Sequence, residues 1–407
     1  MARWHNGEVL QALPHAAGFA LPLILLAGAH FGGWWTFLPL VTLRGSLPSY
    51  QHFAIEHVYG HHRRVATKED PATMVPPLWR RLMAGVQAAP VTQQRIWIAP
   101  GPGTLDYLRL FERPEEWRRT RELITVFKFY QQHTQLPPAS IVGPNTYDAF
   151  VRVNAFRTLR AWGKKTAIEL GSVKEGYCTA DASGMALSIR SAIDTVAAVE
   201  AAGGTVEYLA QDEPWVAGRL RVCGGPALEP TADRVAAWTA AVRQRYSQIQ
   251  IGLIEAYPFS SAAAIETILE LLRTRAATPA FLHIDVDWHA LRPGDFARDL
   301  PRLKEAARAR GITFGVIVWG YNGDADALFA RDAADVTNLM TDAFQTWDEM
   351  PEQIVFQSWA ESATGRLITP SNLPEDRPYA LTHIVWDLYR RLRGATGGAV
   401  GRAVPRR

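Results

Sequence analysis

The stretch Ala202-Gly203-Gly204-Thr205-Val206-Glu207-Tyr208-Leu209-Ala210-Gln211-Asp212-Glu213-Pro214-Trp215 decides the architecture. Its Gly-Gly pair stops a helical pattern, and Thr205–Ala210 follows at once as a short apolar strand. The strand then runs into acidic and aromatic residues. The same unit recurs outward in both directions. Further strands are expected at Arg95–Ala99, Ile124–Tyr130, Thr166–Leu170, Gln250–Ile254, Ala280–Asp285, Thr313–Val318 and Gln353–Gln357. Amphipathic segments separate them, most clearly Ala232–Tyr246, Ala262–Arg275, Phe296–Arg310 and Tyr379–Leu392, each with apolar residues three and four apart.

Strand–helix alternation implies a parallel sheet. Eight such units in about 300 residues fit a closed barrel. An open doubly wound sheet is the competitor, but its first turn should carry a glycine-rich phosphate loop. Gly101-Pro102-Gly103 is too short for one, and Pro102 stands where a backbone N–H is needed. The fold class is therefore α/β, with a (β/α)₈ TIM barrel over residues 94–395. A short hydrophobic, partly helical membrane-type segment (1–74) and a linker (75–93) precede it, and residues 396–407 are expected to form a disordered tail.

The leading segment has a different chemistry. From Ala16 to Leu43 there is no Asp, Glu, Lys or Arg, which exceeds the roughly 20 residues that span a bilayer. Pro22, His30, Gly32, Gly33 and Pro39 interrupt it, so two half-spanning pieces, or one span with a Trp34-Trp35 interfacial anchor, fit better than one straight helix. Membrane association through residues 16–43 is the expectation. Pro76-Pro77, Arg80-Arg81 and Ala88-Ala89-Pro90 read as the linker.

Charge narrows the partners. The 43 basic and 40 acidic residues leave a net charge of only +3, without the basic stripe of a dedicated nucleic-acid binder. Fourteen tryptophans suit either core packing or a concave sugar site, where an indole faces the C–H side of a pyranose. Cys178 and Cys223 are too few for a disulfide scaffold. They form either one bridge, if the barrel lies in an oxidising compartment, or two separate thiols.

In such barrels the active site lies at the C-terminal strand ends, and that rim is acidic and aromatic. It comprises Lys128, Glu169, Asp212-Glu213-Pro214-Trp215, Glu255 with Tyr257, Asp285 with Asp287, Trp319 with Tyr321 and Asn322, and Gln357, Trp359 and Glu361. Grouped carboxyls suit glycoside hydrolysis, in which one acid protonates the leaving oxygen and a carboxylate attacks the anomeric carbon or activates water. Like-charge repulsion keeps one of them protonated near neutrality. Glu213 is the candidate acid, with Glu255, Asp285 or Asp287 as its partner. Lys128, Glu169, Asp212, Trp215, Tyr257, Trp319, Tyr321, Asn322, Trp359 and Glu361 are the candidate substrate contacts. A divalent ion held by His283, Asp285 and Asp287, three inward positions of one strand with His289 close by, is the competing use of the sixth strand.

Two resemblances follow from these residues. Over residues 92–393 the chain resembles TIM-barrel glycoside hydrolases. Glu213-Pro214 is similar to the Asn-Glu-Pro acid/base turn of the large barrel glycosidase clan, with Asp212 in place of the Asn. That clan carries its nucleophile as a Glu after the seventh strand, where this chain has Val318-Trp319-Gly320-Tyr321-Asn322 and no carboxylate before Asp324. Over residues 1–74, Glu56-His57-Val58-Tyr59-Gly60-His61-His62-Arg63-Arg64 resembles the second histidine box of membrane alkane 1-monooxygenases, relatives of the fatty-acid desaturases. The resemblance implies iron bound by His57, His61 and His62, which helical spacing places together. The family's diiron centre draws on three boxes, and the first and third are absent here.

Three functions are therefore carried forward: a carbohydrate-active hydrolase barrel needing no cofactor, a truncated diiron monooxygenase fragment, and an inactive glycan-binding barrel. The location expected is membrane-associated, with the barrel extracytoplasmic.

Overall fold

A computed structural model describes residues 94–135, 138–179, 181–359 and 370–396. The chain divides into two compact units, Met1–Pro90 and Val91–Arg407, and the described residues belong to the second. The membrane-type segment, the histidine box with His57, His61 and His62, Glu361, and the tail beyond Thr396 lie outside the described residues. Among the described residues no helix is long and apolar enough to cross a membrane.

The strands are β1 (Arg95–Ala99), β2 (Val126–Tyr130), β3 (Lys165–Leu170), β4 (Tyr208–Asp212), β5 (Gln250–Tyr257), β6 (Phe281–Val286), β7 (Thr313–Val318) and β8 (Gln353–Gln357). They pair in parallel in sequence order, and β8 closes on β1 in a register running from Arg95 opposite Gln353 to Ala99 opposite Gln357. The closed (β/α)₈ barrel read from the alternation is the fold found. The main outer helices are α1 (Arg118–Leu123), α2 (Ala155–Ala161), α3 (Ser183–Ala201), α4 (Leu228–Arg245), α5 (Ala262–Thr274), α6 (Pro293–Arg308), α7 (Asp326–Ala343) and α8 (Leu381–Ala395).

Period-two alternation sorts each strand into an inward and an outward set. Inward residues Trp97, Val126, Ala167, Tyr208, Ala210, Ile254, Phe281, Ile317 and Val355 fill the barrel as one cluster. Outward residues such as Ile98, Phe127, Ile168, Leu209, Leu253, Ile284 and Val316 pack against the helix layer in a separate, larger cluster. Trp97 is wholly buried, with ring centroids of Tyr208 and His283 both 4.9 Å away and that of Phe281 at 5.6 Å. Gly252 makes room for this group, because a Cβ there would come within 2.3 Å of the Phe281 ring.

The ends of β2, β3 and β6 shift by one or two residues from the sequence reading, and β4 and β5 shift further. β4 begins at Tyr208 rather than Thr205 because the Glu207 carboxylate accepts the Thr166 N–H at 2.7 Å, anchoring the approach to the strand through a side chain. β5 extends past Ile254 to Tyr257, since its pairing with β6 continues to Tyr257 opposite Val286. That extension determines which way Glu255 and Tyr257 point.

Candidate active site

The inward positions at the C-terminal end of the barrel converge on a cavity of about 550 Å³. Alternation continues the interior row of each strand to its tip: Val126 leads to Lys128 and Tyr130, Ala167 to Glu169, Ala210 to Asp212, Ile254 to Ala256, and His283 to Asp285. Above the packed interior the filler thus changes from apolar to charged. Glu169, Asp212, Glu213, Asp285 and Asp287 all line the cavity, with Tyr130, Trp319, Gln357 and Trp359 among its other walls.

Asp212 and Glu213 are consecutive, so an extended strand would send them to opposite faces. They share the cavity because Glu213 leaves the β region for φ 42°, ψ 51°. A non-glycine residue in this left-handed conformation is uncommon and strained, and such strain concentrates at functional sites. Pro214 then opens the short helix Pro214–Gly218 at the position where its missing N–H costs nothing.

Lys174, from the loop after β3, binds this turn. Its Nζ lies 2.7 Å from Asp212 Oδ2 and 3.7 Å from Glu213 Oε2. Lys128 is wholly buried and bridges Glu169 Oε2 and Gln357 Oε1, tying β2 to β3 and β8. Burial raises the Glu213 carboxyl to about 7, helped by the charge of Asp212 and opposed by Lys174. Asp285 is pushed well above the ordinary aspartate range by burial and by the charges of Glu213 and Glu169. Its Oδ1 is shielded from solvent and has no hydrogen-bond partner. Glu169 is also raised, by burial, with the Lys128 contact pulling the other way.

Of the candidate acids, Glu213, Asp285 and Asp287 come together in the cavity, and Glu255 does not. Glu255 falls on the outward face of β5, wholly buried, and accepts hydrogen bonds from the Trp215 N–H and the Ser260 hydroxyl, each at 3.2 Å. Tyr257 shares that face, donating its hydroxyl to Asp299 of α6 at 2.7 Å, and is a packing residue rather than a sugar platform. Trp215 is likewise a core residue, its indole N–H directed to the Leu228 carbonyl at 3.3 Å. Asn322 holds its own loop, accepting the Asp324 N–H at 2.8 Å while its N–H binds Asp332 at 3.0 Å. Lys128 supports the wall without itself reaching the cavity lining.

Trp319 and Trp359 line the cavity, the latter 5.0 Å from Tyr130 by ring centroids. Trp319 is followed by Gly320, whose Cβ would meet the Phe329 carbonyl oxygen at 2.2 Å, so only glycine lets the chain turn there. Tyr321 is exposed and stacks edge-on against His289, with ring centroids 4.7 Å apart. The metal reading of β6 is not met. The His283 ring lies within the packed interior, bonded to Gln353, and burial depresses it to about 3. Among the described residues no three of His, Cys, Asp and Glu are arranged to hold a metal ion.

Lys174, Tyr130, Tyr177, Phe259 and the glutamines Gln131, Gln132 and Gln135 also line the cavity and were not singled out from sequence. Tyr130 was within reach, being two residues past Lys128 on the same face of β2. Lys174 carried no such signal, because a loop obeys no period. Cys178 and Cys223 form a disulfide with Cα atoms 4.8 Å apart. It joins the loop after β3, which carries Lys174, to the loop after β4, which follows the Glu213 turn.

No family model matches the chain, and no curated protein does. Among solved structures it is similar to a glucosidase from Croceicoccus marinus, at 13% identity over 73% of this chain and 68% of that one, with a TM-score of 0.45. It is similar to native xylanase 10B from Thermotoga maritima at 9% identity over 75% and 97% of the two chains, TM-score 0.46. An aldolase, QR15, stands at 10% identity over 74% and 97%, TM-score 0.41. Likeness at this level decides nothing about the chemistry.

Proposed function

We propose that the barrel hydrolyses glycosidic bonds of a poly- or oligosaccharide, with Glu213 as general acid and Asp285 as its partner carboxyl. The observation that carries this reading is the pairing of these two groups on one cavity, with Glu213 holding its proton up to about 7. Burial and mutual repulsion oppose the loss of every proton from the cluster, and the charge of Glu213 itself raises Asp285. The pair therefore retains a proton near neutrality, leaving one member an acid and the other a base. In the reaction the acid protonates the departing glycosidic oxygen as its bond to the anomeric carbon breaks. The carboxylate either deprotonates the incoming water as it adds to that carbon, or attacks the carbon itself to form a glycosyl ester. Water then hydrolyses that ester, with the first residue now acting as base. Asp287, whose Oδ1 accepts the His289 N–H at 3.0 Å, is the other carboxylate in position to activate water.

Trp319 and Trp359 offer faces for a sugar ring, and the glutamines supply donors and acceptors for its hydroxyls. Chemistry of this kind proceeds with carboxyls and water. The Cys178–Cys223 bridge supports an extracytoplasmic location. A glycan-binding barrel without turnover is the second reading, favoured by Trp319 standing at the end of β7 where a nucleophile would be looked for.

The test is reducing-end release from a broad polysaccharide panel by the full chain, with Glu213→Gln and Asp285→Asn beside wild type. Release by wild type, reduced at least about a hundredfold in Glu213→Gln, is expected. Unchanged turnover by Glu213→Gln overturns its role. Glycan binding without release by wild type favours the second reading.

A further inference from the structure

Glu255 is a buried carboxyl that the chemistry above does not use. It lies on the outward face of β5, in the layer between strands and helices, where its neighbours along the same face, Leu253 and Tyr257, pack in the outer hydrophobic cluster. An acid there is costly unless its oxygens are satisfied. Both are: Oε1 accepts the Trp215 N–H, and Oε2 accepts the Ser260 hydroxyl. Ser260 is itself buried, and its backbone N–H is held by the Ala256 carbonyl at 2.9 Å.

The Trp215 amide matters because of what surrounds it. Glu213 occupies a strained left-handed conformation, and Pro214 has no N–H to give. The nearest backbone donors on either side are thus Glu213 N–H and Trp215 N–H. The first is bound by the Ile254 carbonyl at 3.1 Å and the second by the Glu255 side chain at 3.2 Å. Two consecutive residues of β5 therefore clamp the turn from both sides of the strained residue. Without the second clamp, Glu213 can relax toward an extended conformation that swings its carboxyl away from Asp212 and Lys174.

We propose that Glu255 is a positioning residue, holding the Trp215 amide so that the strained turn keeps Glu213 directed into the cavity. The inference rests on Glu213 being the acid of the proposed hydrolase. Glu255 acts on the turn through Oε1, which accepts the Trp215 N–H whether or not the carboxyl is ionised. Burial raises the group to about 8, so through the neutral range it keeps its proton, on the Oε2 side that faces the Ser260 hydroxyl. An amide of the same shape should therefore replace it, and an alkyl group should not.

The experiment compares Glu255→Gln and Glu255→Leu in the full chain, with two readouts: kcat and KM on the responsive glycan, and the carbon-13 NMR titration of the Glu213 carboxyl. Glu255→Gln is expected to keep kcat within about threefold, with the Glu213 midpoint unmoved. Glu255→Leu is expected to lower kcat by about tenfold or more with little change in KM, and to move the Glu213 midpoint, because a misplaced acid loses orientation rather than binding. A loss in Glu255→Gln as large as that of Glu213→Gln would make Glu255 a chemical participant and overturn the proposal. So would a folded Glu255→Leu with wild-type kcat and an unmoved Glu213 titration. If Glu255→Leu does not fold, Glu255→Gln decides alone by the same criterion. If no glycan is cleaved, the hydrolase reading fails, while the Glu213 titration in the two variants still reports on the clamp.

Discussion

Replacing Lys174 by methionine keeps the unbranched stem of the side chain and removes its charged end, and the site geometry says what should follow. The ammonium lies 3.7 Å from Glu213 Oε2 and 2.7 Å from Asp212 Oδ2. Unit charges about 4 Å apart interact by about 4 kcal/mol near a protein surface and about 1 kcal/mol in bulk water. Lys174 retains 35% of its side-chain exposure, so solvent screening places the effect low in that range. A loss of about 1–2 kcal/mol in favour of the Glu213 anion corresponds to roughly one pH unit. Removal also leaves the Asp212 carboxylate without its counter-charge, which pushes Glu213 the same way. The Glu213 midpoint, about 7 in the native site, should therefore rise to about 8 in Lys174→Met. Carbon-13 labelling of glutamate carboxyls reads this directly, with Glu213→Gln identifying the resonance, and the alkaline limb of kcat should move with it. A midpoint that stays in place or falls would refute the electrostatic account of Glu213.

The disulfide and the buried acid give two further expectations. Converting Cys178 and Cys223 to serine opens a loop of sequence separation 45, which loop entropy values at about 4 kcal/mol; calorimetry should show a lower Tm, and a Tm equal to wild type would mean the bridge does not restrain the unfolded chain. For Glu255 the folded-state value of about 8 lies above that of an unfolded glutamate, so the folded protein holds the proton more tightly. Its contribution to stability is full below about pH 4.5 and is lost as pH rises toward 8. Glu255→Gln, which cannot ionise, should therefore raise Tm relative to wild type more at pH 9 than at pH 5, and equal differences at both would contradict a raised Glu255.

Much of the barrel was legible because its signals are local and repeated. Short apolar strands, helix stops such as Gly203-Gly204 and acidic strand ends all follow from backbone geometry and side-chain size, and β1, β7 and β8 begin and end where the residues predict. The rim was legible as a set, because inward alternation carries Glu169, Asp212 and Asp285 to the strand tips. Membership of the site was not. Glu255 and Asp285 are both strand-end acids by sequence, yet one faces the helix layer and the other the cavity.

That difference is one of parity, set by where pairing with the next strand ends. β5 runs on to Tyr257, which puts Ala256 inside and Glu255 outside. Glu213 enters the cavity only through a left-handed backbone step, a conformation that no residue pattern announces. Lys174 reaches it from a loop, and the Cys178–Cys223 bridge exists because barrel closure brings two loops together. Composition and period thus determined that there is a parallel barrel with an acidic, aromatic rim, since both depend on neighbours along the chain. Which acids meet, which are held apart and which carry a proton depend on distances through space and on exclusion of water, and those only the closed tertiary structure decides.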